Sequence, residues 1–287
     1  MSKSINKQLH DRFDDLTRAE KQLASLLLEN YPVSALGSIT TIAKKANVSS
    51  PTVARMVHKL GFSGFPQFQE AVRNELGDKF STPIEKHSNW AENAPTTHIL
   101  NSFTDAVMLN IRKTLSQIDP GQFDATCDLL ADPARTVNIV GGRITRSLAD
   151  YLFNHLQVIR PRVTYMTSNS NAWPHYILDI ARGGILVIFD IRRYENDLLR
   201  LAEMASERGV QIVLFTDQWG SPISKFAAHK FNSQIEVPSG WDSAIVSMLI
   251  LEALIAGVQT RTWPDTKARM KTLEELFDRT RLFRKFT

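Results

Sequence analysis

Residues 184–197 read GILVIFDIRRYEND, and this stretch decides the fold of the second half of the chain. Its first part is a continuous apolar run rich in isoleucine, valine and phenylalanine, which predicts a strand buried on both faces of a sheet. The run ends at Asp190, and Arg192, Arg193 and Tyr194 follow at once. Strands more often end in Gly, Ser, Asn or Asp, so two adjacent arginines at this exit indicate that an anion binds there.

Short apolar runs of similar composition recur on both sides of this strand. They read VNIVGG from residue 137, RVTYM from residue 162, VQIVLFTD from residue 210 and KFNSQIEVP from residue 230. Helical patterns separate the strands at residues 145–158, 172–181, 196–208 and 222–228. Strands joined by helical crossovers predict an α/β domain, a mainly parallel five-stranded sheet flanked by helices on both faces.

The ligand site of such a sheet lies beyond the carboxyl ends of its strands. In this chain those ends are four loops, at residues 141–143, 167–171, 190–195 and 216–221. The arginine pair of the opening stretch therefore belongs to one wall of the predicted site.

The N-terminal part of the chain is helical by its periodicity. Thr17 and Glu20 form a capping-box pattern ahead of a helix that stops before Tyr31-Pro32. Further helices are predicted at residues 39–46, 50–60 and 65–76. This part of the chain is predicted to be an all-α domain.

Residues 41–60, TIAKKANVSSPTVARMVHKL, have the organisation of a helix-turn-helix that contacts DNA. Ala43 is small where the two helices cross, and Asn47 is suited to the left-handed conformation that the turn needs. Val53 and Val57 are placed to pack the second helix against the first. The outward side of the second helix is then available to bases and phosphates.

The outward residues lie in a window without acidic side chains, since no Asp or Glu occurs between Glu29 and Glu70. A surface of this kind approaches a polyanion without repelling it. The predicted DNA-contacting residues are Lys44, Ser49, Ser50, Thr52, Arg55 and Lys59. The alternative is an ordinary helical hairpin with solvated lysines.

Residues 78–97 lose periodicity and gather Pro, Ser, Asn and Thr, which predicts a linker. We therefore divide the chain into a helix-turn-helix domain at residues 1–77, a linker at 78–97 and an α/β domain at 98–287. Within the last domain, the helix predicted at residues 241–258 is more apolar than one face of a monomer needs. This favours packing against its copy in a homodimer or homotetramer.

The composition fits a soluble two-domain protein of 287 residues, 43% of them apolar and 22% charged. Cys127 is the single cysteine, which excludes an internal disulfide framework and a thiolate zinc cluster and suits a reducing cytoplasm. No secretory segment is evident, and the most apolar stretch, residues 244–258, is too short to cross a bilayer. We predict a cytoplasmic protein with no membrane partner.

With these residues in view, the chain resembles the RpiR/MurR family of bacterial transcriptional regulators. Residues 16–76 are similar to that family's N-terminal domain almost throughout, and the region from about 134 to 260 is similar to its sugar isomerase (SIS) domain. The resemblance implies a repressor or activator of a sugar catabolic operon, with double-stranded operator DNA as its partner. The SIS domain is then expected to bind a phosphosugar-like effector and to supply a dimer surface.

The strand ends depart from the pattern of the family. An SIS domain usually carries a Gly-x-Gly-Ser-Ser turn and a later Ser-x-Ser-Gly-x-Thr motif, whose hydroxyls and backbone amides wrap a phosphate. Here the first turn is GGRIT at residues 141–145, and DIRRYE at residues 190–195 replaces the later motif. The third loop, at residues 216–221, keeps the family pattern.

We therefore expect guanidinium groups to hold an anionic effector derived from a carbohydrate, either phosphorylated or carboxylated. The predicted effector-binding residues are Gly142, Arg143, Thr145, Arg146, Arg192, Arg193, Tyr194, Thr216 and Ser221. Two alternatives remain open. In the first, Asp190 and Glu195 form ion pairs with the arginines inside the protein. In the second, the arginines lie at a subunit interface. We expect Asp190 to orient an arginine rather than to take part in chemistry.

The competing functional class is an enzyme, an aldose-ketose isomerase or sugar-phosphate lyase on the same sheet. Glu195 and Glu252 are the carboxylates near the strand ends, and neither has an evident partner that would activate it as a general base. We therefore predict a regulator without catalytic residues. The two adjacent glycines do not make a dinucleotide fingerprint, and His155 and His175 lack partners at ligand spacing, so no cofactor and no metal are predicted.

Overall fold

The opening stretch forms the central strand of a sheet in the computed structural model, which describes residues 5–29, 31–80, 82–92, 98–167, 169–281 and 283. The chain divides into two compact units between Thr82 and Pro83. The first unit is all-α, and the second is an α/β unit.

In the described part of the first unit, short turns join five helices. They are α1 (Ile5–Asp11), α2 (Arg18–Glu29), α3 (Ile39–Lys45), α4 (Ser50–Lys59) and α5 (Phe65–Phe80), with 3₁₀ turns at Phe13–Asp15 and Val33–Ala35. The predicted capping box is present at the start of α2, because the Thr17 N–H donates to Glu20 Oε2 at 2.9 Å. At α3 and α4 the N-cap serines supply the acceptor, because the Ser38 and Ser49 hydroxyls accept the Thr41 and Thr52 N–H groups.

One apolar core holds the five helices of the first unit together. Ala43 is buried at the predicted helix crossing, and Val53 and Val57 are buried on the inner side of α4. Phe68 and Val72 of α5 close the core from the other side. Each such large side chain contributes about 1.5–3 kcal/mol through burial, so the position of α4 is set by its inward residues.

The second unit contains eight helices and five strands among the described residues. In chain order they are α6 (Pro83–Glu92), α7 (Ile99–Leu115), α8 (Pro120–Ala131), β1 (Val137–Gly141), α9 (Arg146–Ile159), β2 (Val163–Tyr165), α10 (Trp173–Asp179), β3 (Ile185–Phe189), α11 (Asn196–Glu207), β4 (Gln211–Asp217), β5 (Ala227–Ser233), α12 (Ile245–Arg261) and α13 (Trp263–Thr280). The strand order is β2-β1-β3-β4-β5, and every neighbouring pair is parallel. The carboxyl ends of all five strands therefore lie at one edge.

The sheet is covered on both faces, as the continuous apolar runs predict. Alternate residues of β3, such as Val187 and Phe189, face a core that α8, α9 and α12 complete. Their neighbours Leu186 and Ile188 face a second core completed by α10 and α11. Each central strand therefore contributes side chains to both cores, because successive residues of a strand point to opposite faces of the sheet.

Three details differ from the sequence prediction. The interval 78–97 contains helix, since α5 extends to Phe80 and α6 covers Pro83–Glu92. A Pro at the start of α6 is compatible with a first helical turn, so the loss of apolar periodicity did not mark a loss of helix. The last strand begins and ends earlier than predicted, at Ala227–Ser233, and the segment predicted as helix from residue 222 is a short 3₁₀ turn at Pro222–Lys225.

Helix α12 buries one side within its own unit and exposes the other. Ile250 and Leu254 belong to the core beneath the sheet, whereas Ile245 and Leu249 are exposed. Among the described residues, no single helix is long and apolar enough to cross a membrane; α12 and α13 pass that test only as a pair bent by 99°.

Candidate functional site

The turn between α3 and α4 has the geometry that the sequence predicts. Asn47 has a φ angle of 52°, in the left-handed region that Asn tolerates better than most residues. The Val48 N–H donates to the Ala43 carbonyl at 2.9 Å and closes the turn. Ser49 then caps α4 by accepting the Thr52 N–H at 3.3 Å.

Five of the six predicted DNA-contacting residues are accessible in the first unit. Lys44, Ser49, Arg55 and Lys59 are exposed, and Ser50 is half-buried. Ser50, Arg55 and Lys59 lie on α4, whose inner side belongs to the core, whereas Lys44 lies on α3 and Ser49 is the N-cap residue of α4.

Two of the six predicted residues have partners inside the unit. Thr52 is only 6% exposed, and its hydroxyl lies 2.8 Å from Ser49 Oγ. Lys59 Nζ lies 2.7 Å from the buried carboxylate of Glu20. Burial opposes ionisation of Glu20, but the hydrogen bonds from Lys59 and Thr17 hold the pKa of its carboxyl below the usual value. Thr52 and Lys59 therefore stabilise the position of α4.

At the sheet edge, the turn after β1 is closed by its own side chains. Thr145 Oγ1 donates to the Phe189 carbonyl at 2.7 Å and accepts the Gly142 N–H at 2.9 Å. The Arg143 N–H donates to Glu195 Oε1 at 2.7 Å. A Cβ atom on Gly142 would lie 2.5 Å from that oxygen, so the close approach of Glu195 requires glycine here.

The exit of β3 is held by two buried carboxylates. Asp190 accepts the Ser221 hydroxyl at 2.5 Å and the Glu195 N–H at 3.2 Å, rather than orienting an arginine as predicted. Burial, together with the nearby charges of Asp217 and Glu195, raises the pKa of Asp190 to about 6, while these two hydrogen bonds lower it.

Asp217, at the end of β4, is the second buried carboxylate. It accepts the Arg192 N–H at 2.7 Å, the Tyr194 hydroxyl at 2.7 Å and the Trp219 N–H at 3.0 Å. Burial raises its pKa, although these hydrogen bonds and the charge of Arg192 favour the ionised form. Tyr194 is thus a donor, as predicted, but to an internal carboxylate. Thr216 is also buried, and its hydroxyl accepts the Ser221 N–H at 2.9 Å.

Arg192 turns inward and pairs with the protein. Its Nε atom lies 2.9 Å from Asp242 Oδ2, and its Nη2 atom lies 3.6 Å from Glu236 Oε1. Its guanidinium carbon lies 4.4 Å from the centroid of a ring of Trp219, a cation–π distance. The alternative of internal pairing thus holds for Arg192, but Asp242 and Glu236 are the carboxylates, in place of Asp190 and Glu195.

The remaining predicted arginines point outward. Arg143, Arg146 and Arg193 are exposed, and none of them forms an ion pair with a carboxylate in the described part of the chain. Arg192 and Arg193 both have positive φ angles, 36° and 58°. Two consecutive positive φ angles reverse the direction of the chain here. The side chain of Arg192 lies inside the unit, and that of Arg193 lies at the surface.

Sequence reasoning missed the residues that organise this edge. Asp242, Glu236 and Trp219 lie in loops far along the chain from Arg192, and no local pattern joins them to it. The family pattern at residues 216–221 did draw attention to the β4 loop. A cavity of about 410 Å³ in the second unit is lined by other residues: Pro83, His87, Trp90, Ile99, Phe103, Pro238, Ser239, Gly240 and Trp241.

The carboxylates considered as general bases already accept hydrogen bonds from the protein. Glu252 Oε1 accepts the Tyr151 hydroxyl at 3.0 Å, and Glu195 accepts the Arg143 N–H. Asn169 Oδ1 caps a turn at the Asn171 N–H, while Ser168 lies outside the described residues. No group of three or more His, Cys, Asp or Glu side chains that could hold a metal ion occurs among the residues described.

These features define a class of protein: a helix-turn-helix unit followed by a parallel α/β unit with polar loops at its strand ends. Comparison with known families agrees. The model of the rpiR-family helix-turn-helix domain matches residues 3–79, and the SIS domain model matches residues 130–257. The chain is 25% identical over 282 residues to the HTH-type transcriptional regulator HexR of Pseudomonas aeruginosa, covering 95% of each chain.

Two solved structures share the fold. The sugar isomerase domain of an RpiR transcription factor from Sphaerobacter thermophilus has a TM-score of 0.56 at 21% identity, over 61% of this chain and 97% of that one. The NanR protein of Vibrio vulnificus, complexed with ManNAc-6P, has a TM-score of 0.56 at 16% identity, over 96% of this chain and 98% of that one. The chain belongs to the RpiR family and is a transcriptional regulator of the RpiR/HexR type, with an SIS domain.

Proposed function

We propose that the chain recognises operator DNA through the exposed side of α4 and its approach. The observation that carries the proposal is Arg55, exposed on a helix whose inner side is locked in the core. Lys44 and Ser49 flank it, and the left-handed turn at Asn47 sets the start of α4. The N-terminal part of a recognition helix is the part that contacts base edges, so Ser49, Ser50 and Arg55 are the proposed contacts. A protein with this role acts in the bacterial cytoplasm.

Selection of duplexes from a random library by the full chain tests DNA recognition. A selected duplex is expected to bind at least 10³-fold more tightly than its shuffled sequence at physiological salt. Equal affinity for both duplexes would contradict sequence-selective binding, and the salt dependence separates the non-specific electrostatic part.

For the second unit we propose an anionic effector derived from a carbohydrate, phosphorylated or carboxylated. The exposed arginines Arg143, Arg146 and Arg193 support this, because they lie in or beside the loops at the carboxyl ends of the strands. NanR, which shares the fold, is complexed with a phosphosugar, and that supports the same class of ligand. Arg192 is left out of the proposed contacts because its guanidinium already faces two carboxylates.

Isothermal titration of the full chain with hexose phosphates and hexonates tests the effector class. The double variant Arg143→Ala, Arg193→Ala is expected to weaken effector binding at least tenfold, since each of the two substitutions removes a charge-assisted contact with the effector. Arg200→Ala is the matched control, because Arg200 is exposed on α11 and pairs with Asp197. Binding that is unchanged in the double variant would contradict the proposed arginine contacts.

We also propose that the regulator acts as a homodimer or homotetramer. The exposed residues Ile245 and Leu249 at the start of α12 give a second copy an apolar surface to cover. Light scattering on the full chain should give a mass of two or four chains, and a monomer mass at micromolar concentration would contradict this.

We propose no catalytic role, since Glu195 and Glu252 both already accept hydrogen bonds from the protein.

A further inference from the structure

The turn after β1 contains an anion that belongs to the protein itself. Glu195 Oε1 accepts the Arg143 N–H at 2.7 Å, across 52 residues of sequence. Glu195 stands at the N-cap position of α11, yet its side chain makes no capping bond to that helix. The carboxylate is instead directed across the sheet edge to the backbone of the neighbouring loop.

The backbone around Gly142 is shaped to this carboxylate. A Cβ atom on Gly142 would lie 2.5 Å from Glu195 Oε1 and 3.0 Å from its Cδ. The carboxylate therefore lies directly against the glycine, in space that a larger residue would fill. Such an approach of an anion to glycine backbone is the geometry by which loops ahead of helices hold phosphates.

Two further donors of the turn, the Gly142 N–H and the Thr145 hydroxyl, are also engaged. The Gly142 N–H donates to Thr145 Oγ1 at 2.9 Å, and that hydroxyl donates to the Phe189 carbonyl at 2.7 Å. A phosphate that entered the turn would have to displace Glu195 from the Arg143 N–H. It would also meet the buried carboxylate of Asp190, whose Oδ1 accepts the Glu195 N–H.

We propose that Glu195 determines ligand specificity by occupying the anion position of the β1 turn and excluding phosphate from it. The acid group of an effector is then bound by the exposed side chains of Arg143, Arg146 and Arg193, outside the turn. This inference rests on the proposed effector function for its biological meaning. The exclusion of phosphate by Glu195 can be measured without knowing the effector.

Isothermal titration with inorganic phosphate and a hexose 6-phosphate tests the proposal on the full chain. Glu195→Ala vacates the position and is expected to raise phosphate affinity at least tenfold over the unaltered chain, because two like charges about 4 Å apart repel strongly near a protein surface. Glu195→Gln keeps an acceptor for the Arg143 N–H while removing the charge, and an increase of about threefold or more is expected.

Glu207→Gln is the matched control, because Glu207 is an exposed carboxylate at the end of α11. In the Glu195→Ala chain, added phosphate should also shift the amide resonance of Arg143, a response that loss of a merely structural contact would not produce. Affinity within twofold of the control in both Glu195 variants would overturn the proposal. If instead the Glu195 variants bind phosphate but the unaltered chain binds no carbohydrate anion, the specificity inference stands and the proposed effector function fails.

Discussion

Arg55 in the first unit and Arg192 in the second show how differently two arginines with the same predicted role are placed. Both were predicted to bind an anionic partner. Arg55 is exposed on α4, whereas Arg192 is buried, stacks on Trp219 and pairs with Asp242. The direction of a helical side chain follows from the local period, but the direction of a side chain in a strand-end loop depends on distant partners.

The largest expected effect is on the stability of the second unit. Arg192→Met removes the guanidinium that pairs with Asp242 and stacks on Trp219, and it leaves Lys86 as a remaining partner of the Asp242 carboxylate. The variant is therefore expected to cost about 3 kcal/mol of unfolding free energy, the lower end of the range for breaking a buried ion pair. All five tryptophans lie between residues 90 and 263, so tryptophan fluorescence in urea reports on this unit alone. Arg193→Met, at an exposed neighbour, should change the free energy by less than about 0.5 kcal/mol. Equal effects of the two variants would remove the distinction between the inward and outward arginine.

The next effect is a pH dependence that comes from Asp190. Its pKa is raised from the ordinary value of 3.8 to about 6 in the folded protein, so its contribution to stability is present below pH 4 and is lost as the pH rises through about 6. Relative to Asp190→Asn, the unaltered chain should lose up to about 3 kcal/mol between pH 4 and pH 7.5, by the same urea titration.

Asp105→Asn provides the control for this titration, because Asp105 is exposed on α7. Its free energy of unfolding should follow the unaltered chain across the pH range. A pH profile of Asp190→Asn that follows the unaltered chain as well would show that Asp190 is not the group responsible.

A smaller effect is expected in the turn of the first unit. Asn47→Val places a β-branched residue at a φ angle of 52°, which should destabilise the helix-turn-helix by about 1–2 kcal/mol. Asn47→Gly should be close to neutral, because glycine adopts positive φ without strain. Hydrogen exchange of peptides from α3 and α4 measures the local opening free energy. Indistinguishable exchange in the two variants would contradict a conformational role for Asn47.

The smallest expected effect belongs to Lys59. Its amine is partly exposed, so Lys59→Met should cost about 0.2–1 kcal/mol through loss of the pair with Glu20. The pKa of Glu20 is lowered in the folded state, so this contribution is present at neutral pH and is lost as the pH falls through that pKa. Hydrogen exchange of α2 and α4 peptides in a series of decreasing pH should show a difference between Lys59→Met and the unaltered chain that is full at pH 7 and shrinks in the acid range below 4.5. A difference that does not change with pH would point to packing rather than charge.

The sequence predicted most of the fold because the relevant signals are local. Continuous apolar runs gave five parallel strands, and Asn47 and Ser49 gave the turn and cap before α4. At the strand ends, sequence reasoning located the loops but not the contacts within them. The two carboxylates that pair with the Arg192 guanidinium lie more than 40 residues away along the chain, and the backbone reversal at Arg192 and Arg193 forms only when the loops pack together.

The most direct test of the regulator function is the affinity of the full chain for a selected duplex, measured by fluorescence anisotropy over a range of salt concentrations. Arg55→Ala should weaken binding about tenfold or more, corresponding to about 1–3 kcal/mol, while retaining the folded helix-turn-helix. Arg279→Ala, which removes the same charge from an exposed position on α13, should bind as tightly as the unaltered chain. Equal binding of the duplex by Arg55→Ala and Arg279→Ala would contradict the proposal that α4 is the recognition helix.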